Sequence, residues 1–444
     1  MKQPLSTSFL AVLAAIALFT VSCAGSAGSD APAADPGASA VAGAEPATSV
    51  PDGARSLLDD AVVAAAEGYE RTIGVWDGFD PREHPTVVPL RENGEVVEAL
   101  LINHTNPGAL GTATGLDPAE TPFASLHRVV LNDEYRQRLE QTEHFEFNAM
   151  IGDVDSFIMV ADRNDSFLDP SEQDWAATLI HEMFHRYQEG AFTWGFGGQD
   201  IDGYAYTQEN LALALLEERA LRAALTADSD AARIEAARHF SGLRLARLAA
   251  DGRVELDNSQ EHIEGTARYI EHRMSGTDER YSYHASNYDR DLLDGFTIGQ
   301  IKDEYGFGRF YASGAAILRV LDLLAVDDVV ARTEAGDAPA EILIDHLGVV
   351  AEDAPALTEA ARAAYGDASV DADAAAAAAG VESEPSFWGD ESGGEDGSAD
   401  AGSPDGGDGE IIELTEEELA CLDAAEIPED GIVPDDVWEA CVGA

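Results

Sequence analysis

Residues 169–190 read DPSEQDWAATLIHEMFHRYQEG, and this stretch predicts the centre of the fold. Asp169 followed by Pro170 is typical of a helix start, because a short acidic side chain caps free backbone N–H groups and proline fits the first turn. Apolar residues then recur with the helical period, and Gly190 marks the predicted end. The pattern predicts a buried helix of about five turns.

Inside this helix lies an HExxH motif formed by His181, Glu182, Met183, Phe184 and His185. Residues four apart share one helix face, so His181 and His185 can bind a single Zn²⁺ ion. Glu182 lies about 100° further around the helix, beside the metal without binding it. It can take a proton from a water molecule that the metal has made more acidic. The motif therefore predicts a catalytic zinc centre.

A catalytic zinc ion needs a third protein ligand and an open position. Three glutamates on predicted downstream helices are candidates, namely Glu209, Glu217 and Glu264. The residues alone leave this choice open.

Two further segments resemble gluzincins of the aminopeptidase N type. Residues 264–269 read EGTARY and match the Glu-Gly-x-Ala-x-Tyr element of that family, and residues 311–314 read YASG and match its Tyr-x-x-Gly element. With the HExxH motif, the three segments follow the family's order over residues 170–325. The resemblance implies an α+β zincin domain that is mostly helical after a small mixed sheet.

The resemblance also assigns roles to individual residues. It implies that Zn²⁺ is held by His181, His185 and Glu264, and that Gly265 allows close helix packing. Glu182 is then the general base, and Tyr311 donates a hydrogen bond to the oxyanion of the reaction. The implied activity is hydrolysis of peptide bonds in a peptide or protein substrate.

Two departures from the family affect this interpretation. The interval from His185 to Glu264 is much longer than usual and predicts two inserted helices, near 207–226 and 229–250, which keeps Glu217 open as a ligand. The Gly-x-Met-Glu-Asn element that holds a substrate's free amine is missing, so an endopeptidase is favoured over an aminopeptidase. The strand predicted at 157–161 is expected to be an edge strand that pairs with an extended peptide.

Composition narrows the possible partners. The chain has 85 acidic and 26 basic residues, a formal net charge of −59, which disfavours nucleic acid and anionic lipid as partners. An inactive zincin-fold envelope protein that serves as a binding module is the alternative function, although the intact Glu182 argues against it. A third hypothesis is a structural lipoprotein whose acidic tail binds Ca²⁺ or a partner.

The chain is predicted to have five segments. Residues 1–22 resemble a signal peptide, and Thr20-Val21-Ser22-Cys23 resembles a bacterial lipobox, so Cys23 is the expected lipid anchor and only membrane attachment. A flexible tether at 23–54, the peptidase domain at 55–366, an acidic disordered linker at 367–412 and a small helical segment at 413–444 follow. Cys421 and Cys441 could pair in an oxidising compartment. The expected location is the outer face of the cell envelope or the secreted fraction.

Overall fold

The computed structural model describes residues 56–118, 121–171, 173–193, 200–275 and 292–387. The predicted signal peptide, Cys23, the tether, and the segment that contains Cys421 and Cys441 lie outside the described residues. Among the described residues, no helix combines the length and the apolar character that crossing a membrane requires.

The first described element is helix α1 (Leu57–Thr72), which begins at a reciprocal cap. The Ser56 hydroxyl accepts a hydrogen bond from the Asp59 backbone N–H at 3.1 Å, and the Asp59 carboxylate accepts one from the Ser56 backbone N–H at 3.4 Å. Such a capping box satisfies backbone donors that a helix start leaves free. The buried face of α1 packs against the helix that carries the HExxH motif.

A seven-stranded mixed sheet follows. Its strands are β1 (Thr86–Glu92), β2 (Glu95–Ile102), β3 (Gly111–Gly115), β4 (Leu126–Leu131), β5 (Phe145–Ile151), β6 (Val154–Met159) and β7 (Ala161–Asp162). The spatial order is β3-β4-β2-β1-β6-β5, and β7 pairs with β1. Only the pairings of β1 with β6 and β7 are parallel. Asn93 and Gly94 both have positive φ, which lets them form the tight turn between β1 and β2.

Both faces of the sheet are covered, and the two-residue period of the strands separates them. On one face, side chains such as Val88, Leu100 and Phe157 join the large core with α1 and the HExxH helix. On the other face, Val87 and Leu101 join a smaller core. Helix α2 (Asp133–Glu140) contributes Leu139 to that second core.

The remaining described chain is mainly helical, as expected from the resemblance. The α-helices are α3 (Gln173–Ala191), α4 (Gln208–Thr226), α5 (Asp230–Ala250), α6 (Glu255–Gln260), α7 (Thr266–Ser275), α8 (Ile301–Asp303), α9 (Arg309–Leu323), α10 (Val329–Ala335), α11 (Pro339–His346), α12 (Ala354–Tyr365) and α13 (Val370–Val381). Two π-helical segments, Glu261–Gly265 and Glu304–Gly308, lead into α7 and α9. The fold is therefore mixed α+β, and α4 and α5 match the two predicted inserted helices.

Helix α3 begins later than the sequence predicts. The Asp169 carboxylate accepts hydrogen bonds from the backbone N–H and the hydroxyl of Ser171, at 2.9 and 2.8 Å. These bonds close a turn before the helix, and the first α-helical residue is Gln173. The Asp-Pro pair marks the approach to the helix rather than its first turn.

The predicted edge strand is wrong. The strand at 157–161 corresponds to β6 and β7, and β6 pairs with β1 on one side and β5 on the other. Strand β5 is the edge of the described sheet at this end.

The predicted disordered linker is wrong for its first part. Helix α13 occupies residues 370–381 and buries Val370, Ala374 and Ala377. These residues face α4, so the folded part reaches beyond Gly366. The rest of the predicted linker, from residue 388, lies outside the described residues.

The π-helical segment Glu261–Gly265 crosses α9 at very short range. A Cβ atom added to Gly265 would lie 2.5 Å from the Gly314 Cα atom and 3.1 Å from the Phe310 carbonyl oxygen. Real Cβ atoms essentially never come within 3.0 Å of a backbone atom, so the contact with Gly314 requires glycine at position 265. The close packing that the resemblance implied for Gly265 is confirmed.

We expect Gly265→Ala to lower the free energy of unfolding by about 1–3 kcal/mol, because the two backbones must separate. Gly190→Ala is the matched control, since Gly190 is also helical but has no atom within 4 Å of an added Cβ. Its stability should stay equal or rise slightly, because alanine favours helices over glycine. Urea unfolding measures both values, and equal stabilities of the two variants would contradict the close crossing.

Candidate metal centre

The HExxH motif lies in the middle of α3, where the helix packs against α1, α7 and β6. The indole N–H of Trp175 donates a hydrogen bond of 3.0 Å to the Val160 carbonyl oxygen, which fixes the helix to the chain after β6. His181, Glu182 and His185 are each at most 4% exposed. The Nε2 atoms of the two histidines are 2.9 Å apart, as expected for residues four apart on one helix face.

Glu264 reaches these histidines from the π-helical segment. Its Oε2 atom lies 3.2 Å from His185 Nε2 and 3.6 Å from His181 Nε2. The ligand atoms of the three residues all lie within 4.8 Å of one another, so this buried group could bind a metal ion. Within the described ranges, the structure brings Glu264 to the histidines and leaves Glu209 and Glu217 elsewhere.

The donor atoms of the group fit a cation. Both carboxylate oxygens of Glu264 are buried, and its polar neighbours include the imidazoles of His181 and His185. Burial alone would raise the pKa of Glu264, but the imidazoles of His185 and His181 outweigh it and lower this pKa to about 2. An ionised buried carboxylate is costly unless a positive charge compensates it. Two imidazoles and one carboxylate form a ligand set that catalytic zinc sites use.

The Nδ1 atom of each imidazole also has a polar neighbour. His181 Nδ1 contacts the carboxylate of Glu271, which accepts a hydrogen bond of 2.6 Å from Arg268. His185 Nδ1 donates a hydrogen bond of 2.6 Å to the side-chain oxygen of Gln188. Acceptors on Nδ1 direct the two Nε2 atoms towards Glu264, an arrangement found around metal-binding histidines.

Charge around His181 favours a cation at this position. Burial opposes a charged imidazole, but the carboxylates of Glu271 and Glu264 outweigh it and raise the pKa of His181 to about 10. The surroundings thus hold a proton on this imidazole far above its usual range. A metal ion at the three donors would supply the positive charge in place of that proton.

Sequence reasoning assigned no role to Glu271 or Gln188. Glu271 lies seven residues after Glu264, about two helical turns, so a shared face was a readable signal. Gln188 lies three residues after His185, and its amide group donates to the Ile263 carbonyl oxygen at 2.9 Å and to the Thr266 hydroxyl at 2.6 Å. It therefore links α3 to the helix that carries the third donor.

Glu182 lies beside the group without belonging to it. Its Oε2 atom is buried and has no hydrogen-bond partner among the described residues. Burial is the main reason that the pKa of Glu182 is raised to about 7, while the two histidines oppose this shift. A carboxyl group whose pKa is close to neutrality is well suited to accept and return a proton.

Tyr311 lies against the same group. Its ring stacks on the His181 imidazole, with centroids 5.7 Å apart and planes inclined by 16°. The hydroxyl is buried and lies next to the Glu264 carboxylate. Burial, reinforced by the carboxylates of Glu264 and Glu182, raises the pKa of Tyr311 well above its usual value. The phenol therefore keeps its proton and can donate it in a hydrogen bond.

The other two glutamate candidates have different surroundings. Glu209 is exposed in the first turn of α4. Glu217 is buried and accepts hydrogen bonds from Arg244 and Arg247, so its oxygens are committed to guanidinium groups. Breaking one side of such a buried pair typically costs about 3–5 kcal/mol, which gives Glu217 a structural role.

Glu217 belongs to a buried network of charged side chains. Its members are Arg244, Arg247, Arg309, Glu217, Glu218, Asp257 and Glu261. Burial raises the pKa of Glu218 to about 8, so this carboxyl group is largely neutral at pH 7. Three guanidinium groups thus lie among four carboxyl groups in this network.

Comparison with known proteins adds no relative, because no family model, no curated protein and no solved structure matches this chain. Fold and site together define a mixed α+β protein with a buried candidate metal centre of two histidines and one glutamate.

Proposed function

We propose that this protein is a zinc-dependent peptidase of the gluzincin kind. The observation that carries the proposal is the buried donor group of His181, His185 and Glu264, in which the Glu264 carboxylate faces both imidazoles. Glu182 lies next to this group without being part of it. This combination supports a metal held by three residues and a separate carboxylate for proton transfer.

A zinc ion at this site would polarise the substrate carbonyl group and make a water molecule more acidic. Glu182 would accept the proton of the attacking water and return it to the leaving amine. The Tyr311 hydroxyl, which is buried beside the metal-binding group, would donate a hydrogen bond to the oxygen that becomes negative during the attack. Glu271 and Gln188 would keep the two imidazoles oriented.

Strand β5 supports a peptide as the substrate. It is one of the two edges of the described sheet, and the Phe147 ring lies 6.5 Å from the His185 ring. The side-chain amide of Asn148 donates a hydrogen bond to the Glu189 carboxylate on α3. An extended peptide that pairs with the free side of β5 would thus run past the metal centre. Backbone pairing does not require a chain end, so internal bonds of a peptide or protein would be cleaved.

The proposal is tested by metal analysis together with digestion of a broad peptide library. We expect one zinc ion per chain and internal cleavage that a chelator abolishes and added zinc restores. His181→Ala should lose zinc because it removes one of three ligands. His239→Ala is the control, since His239 is also buried but bonds to the Tyr365 hydroxyl.

Three outcomes bear on the proposal. Undiminished zinc in His181→Ala would overturn the site. Loss of zinc from both variants would point to general unfolding, which circular dichroism detects. Zinc binding without cleavage of any peptide would favour the inactive envelope binding module.

A further inference from the structure

The π-helical segment Glu261–Gly265 carries two buried glutamates whose side chains contact different groups. Glu264 faces the two histidines of the metal centre. Glu261, three residues earlier, faces Arg244 and Ser313 instead. Residues three apart in a regular α-helix lie on the same face. The wider π-helical turn, closed by bonds from residue i to i+5, allows these two side chains to separate.

The Glu261 carboxylate is held from two sides. Its Oε1 atom accepts hydrogen bonds from the Ser313 hydroxyl at 2.6 Å and from Arg244 Nη2 at 2.8 Å, and its Oε2 atom accepts one from Arg244 Nη1 at 2.8 Å. Bidentate pairing with a guanidinium group fixes both position and orientation of a carboxylate. The position and orientation of the Glu261 carboxylate are therefore fixed, and Glu261 lies three residues before Glu264.

Ser313 connects the Glu261 carboxylate to α9, the helix that bears Tyr311. It lies on α9, two residues after Tyr311 and next to Gly314, which touches Gly265. The bond from Ser313 to Glu261 thus joins the segment that supplies Glu264 to the helix that supplies Tyr311. The contact between Gly265 and Gly314 sets the distance between the π-helical segment and α9. The hydrogen bond from Ser313 to Glu261 limits how far the segment can slide along α9.

We propose that Glu261 and Ser313 are positioning residues that hold the π-helical segment in the one register that presents Glu264 to the two histidines. The inference rests on the proposed metal site and adds the residues that position Glu264 in it. Neither residue touches the metal ligands' donor atoms, so both act through Glu264. Their loss should weaken metal binding while the histidine pair on α3 stays in place.

The test compares two variants with two matched controls. Ser313→Ala removes the bond to Glu261, and Ser241→Ala removes an equally buried hydroxyl whose partner among the described residues is the Ala237 carbonyl oxygen. Glu261→Gln and Glu217→Gln each neutralise a buried carboxylate bonded to Arg244, but only Glu261 lies on the π-helical segment. Both controls retain every group that bonds to Glu261, namely Ser313 and Arg244, so they test the loss of a buried polar group elsewhere.

Three quantities are measured on the full chain. Zinc affinity comes from competition with a chelator, ligand geometry from the absorption spectrum of the Co²⁺-substituted protein, and folding from urea unfolding of the metal-free protein. We expect Ser313→Ala and Glu261→Gln to bind zinc roughly 10–100-fold more weakly and to change the Co²⁺ spectrum, as loss of residues behind metal ligands typically does. The controls should keep wild-type affinity and spectrum even where their stability falls.

Each outcome decides the proposal. Zinc affinities of Ser313→Ala and Glu261→Gln equal to those of their controls would overturn it. Should Glu261→Gln fail to fold, the comparison of Ser313→Ala with Ser241→Ala decides alone. A wild-type protein that binds neither metal would overturn the metal site and the positioning role together. A wild-type protein that binds zinc but cleaves no peptide would overturn only the peptidase function.

Discussion

Glu182→Gln should keep its zinc and lose at least ~100-fold in turnover, the scale expected when a general base is removed. Glutamine has nearly the same shape, but its amide cannot accept a proton at neutral pH. The three donors of the metal group remain intact, because Glu182 is not one of them. Turnover of a peptide selected from the library and zinc content per chain are the two measurements.

Glu218→Gln is the control for this variant. Like Glu182, Glu218 is a fully buried carboxyl group with a raised pKa, yet it lies in the arginine network and outside the metal group. Its replacement should leave turnover unchanged, which separates the loss of the base from the loss of any buried carboxyl group. Wild-type turnover in Glu182→Gln would refute the assigned mechanism.

Local sequence signals predicted the helices around the site because these helices carry their own boundaries. Helices α4 and α5 begin after Thr207 and Ser229, whose hydroxyls accept hydrogen bonds from the backbone N–H groups of Asn210 and Ala232. A short apolar run is also a local signal, so the strand at 157–161, which covers parts of β6 and β7, was predicted. Such signals need no knowledge of distant parts of the chain.

Other parts of the fold depend on partners that the local sequence does not show. Strand β3 (Gly111–Gly115) is mostly exposed and has no apolar pattern, and the edge position of β5 is set by which strand pairs with β6. Helix α13 has a linker-like composition rich in alanine. Its spacing of Val370, Ala374 and Ala377 was a helical signal that composition alone concealed.

In the candidate site, too, some residues follow from local sequence and others only from the folded chain. Four residues separate His181 from His185, so helix geometry placed them together without further information. Glu264 comes from a distant segment, and residue patterns alone could not choose it over Glu217. The structure separates the two glutamates by their partners, since Glu217 meets guanidinium groups and Glu264 meets imidazoles. A buried carboxylate whose cation is supplied by arginine has no need of a metal.

Glu264→Ala should lose both zinc and peptidase activity. Two histidines alone bind zinc weakly and leave it exchangeable, whereas three protein ligands are typical of catalytic sites. Glu217→Ala should keep its zinc, although its stability should fall by about 3–5 kcal/mol because Arg244 and Arg247 lose a buried partner. Glu264→Ala is therefore expected to lose the metal, whereas Glu217→Ala is expected to lose stability.

Competition with a chelator measures zinc affinity in both variants, and urea unfolding of the metal-free proteins measures stability. If Glu217→Ala is too unstable to purify, Glu217→Gln preserves the shape of the side chain and serves in its place. Loss of zinc from the Glu217 variant together with retention in Glu264→Ala would show that the ligand assignment is wrong. Retention of zinc by both would mean that another residue completes the site, because two imidazoles alone do not hold zinc tightly.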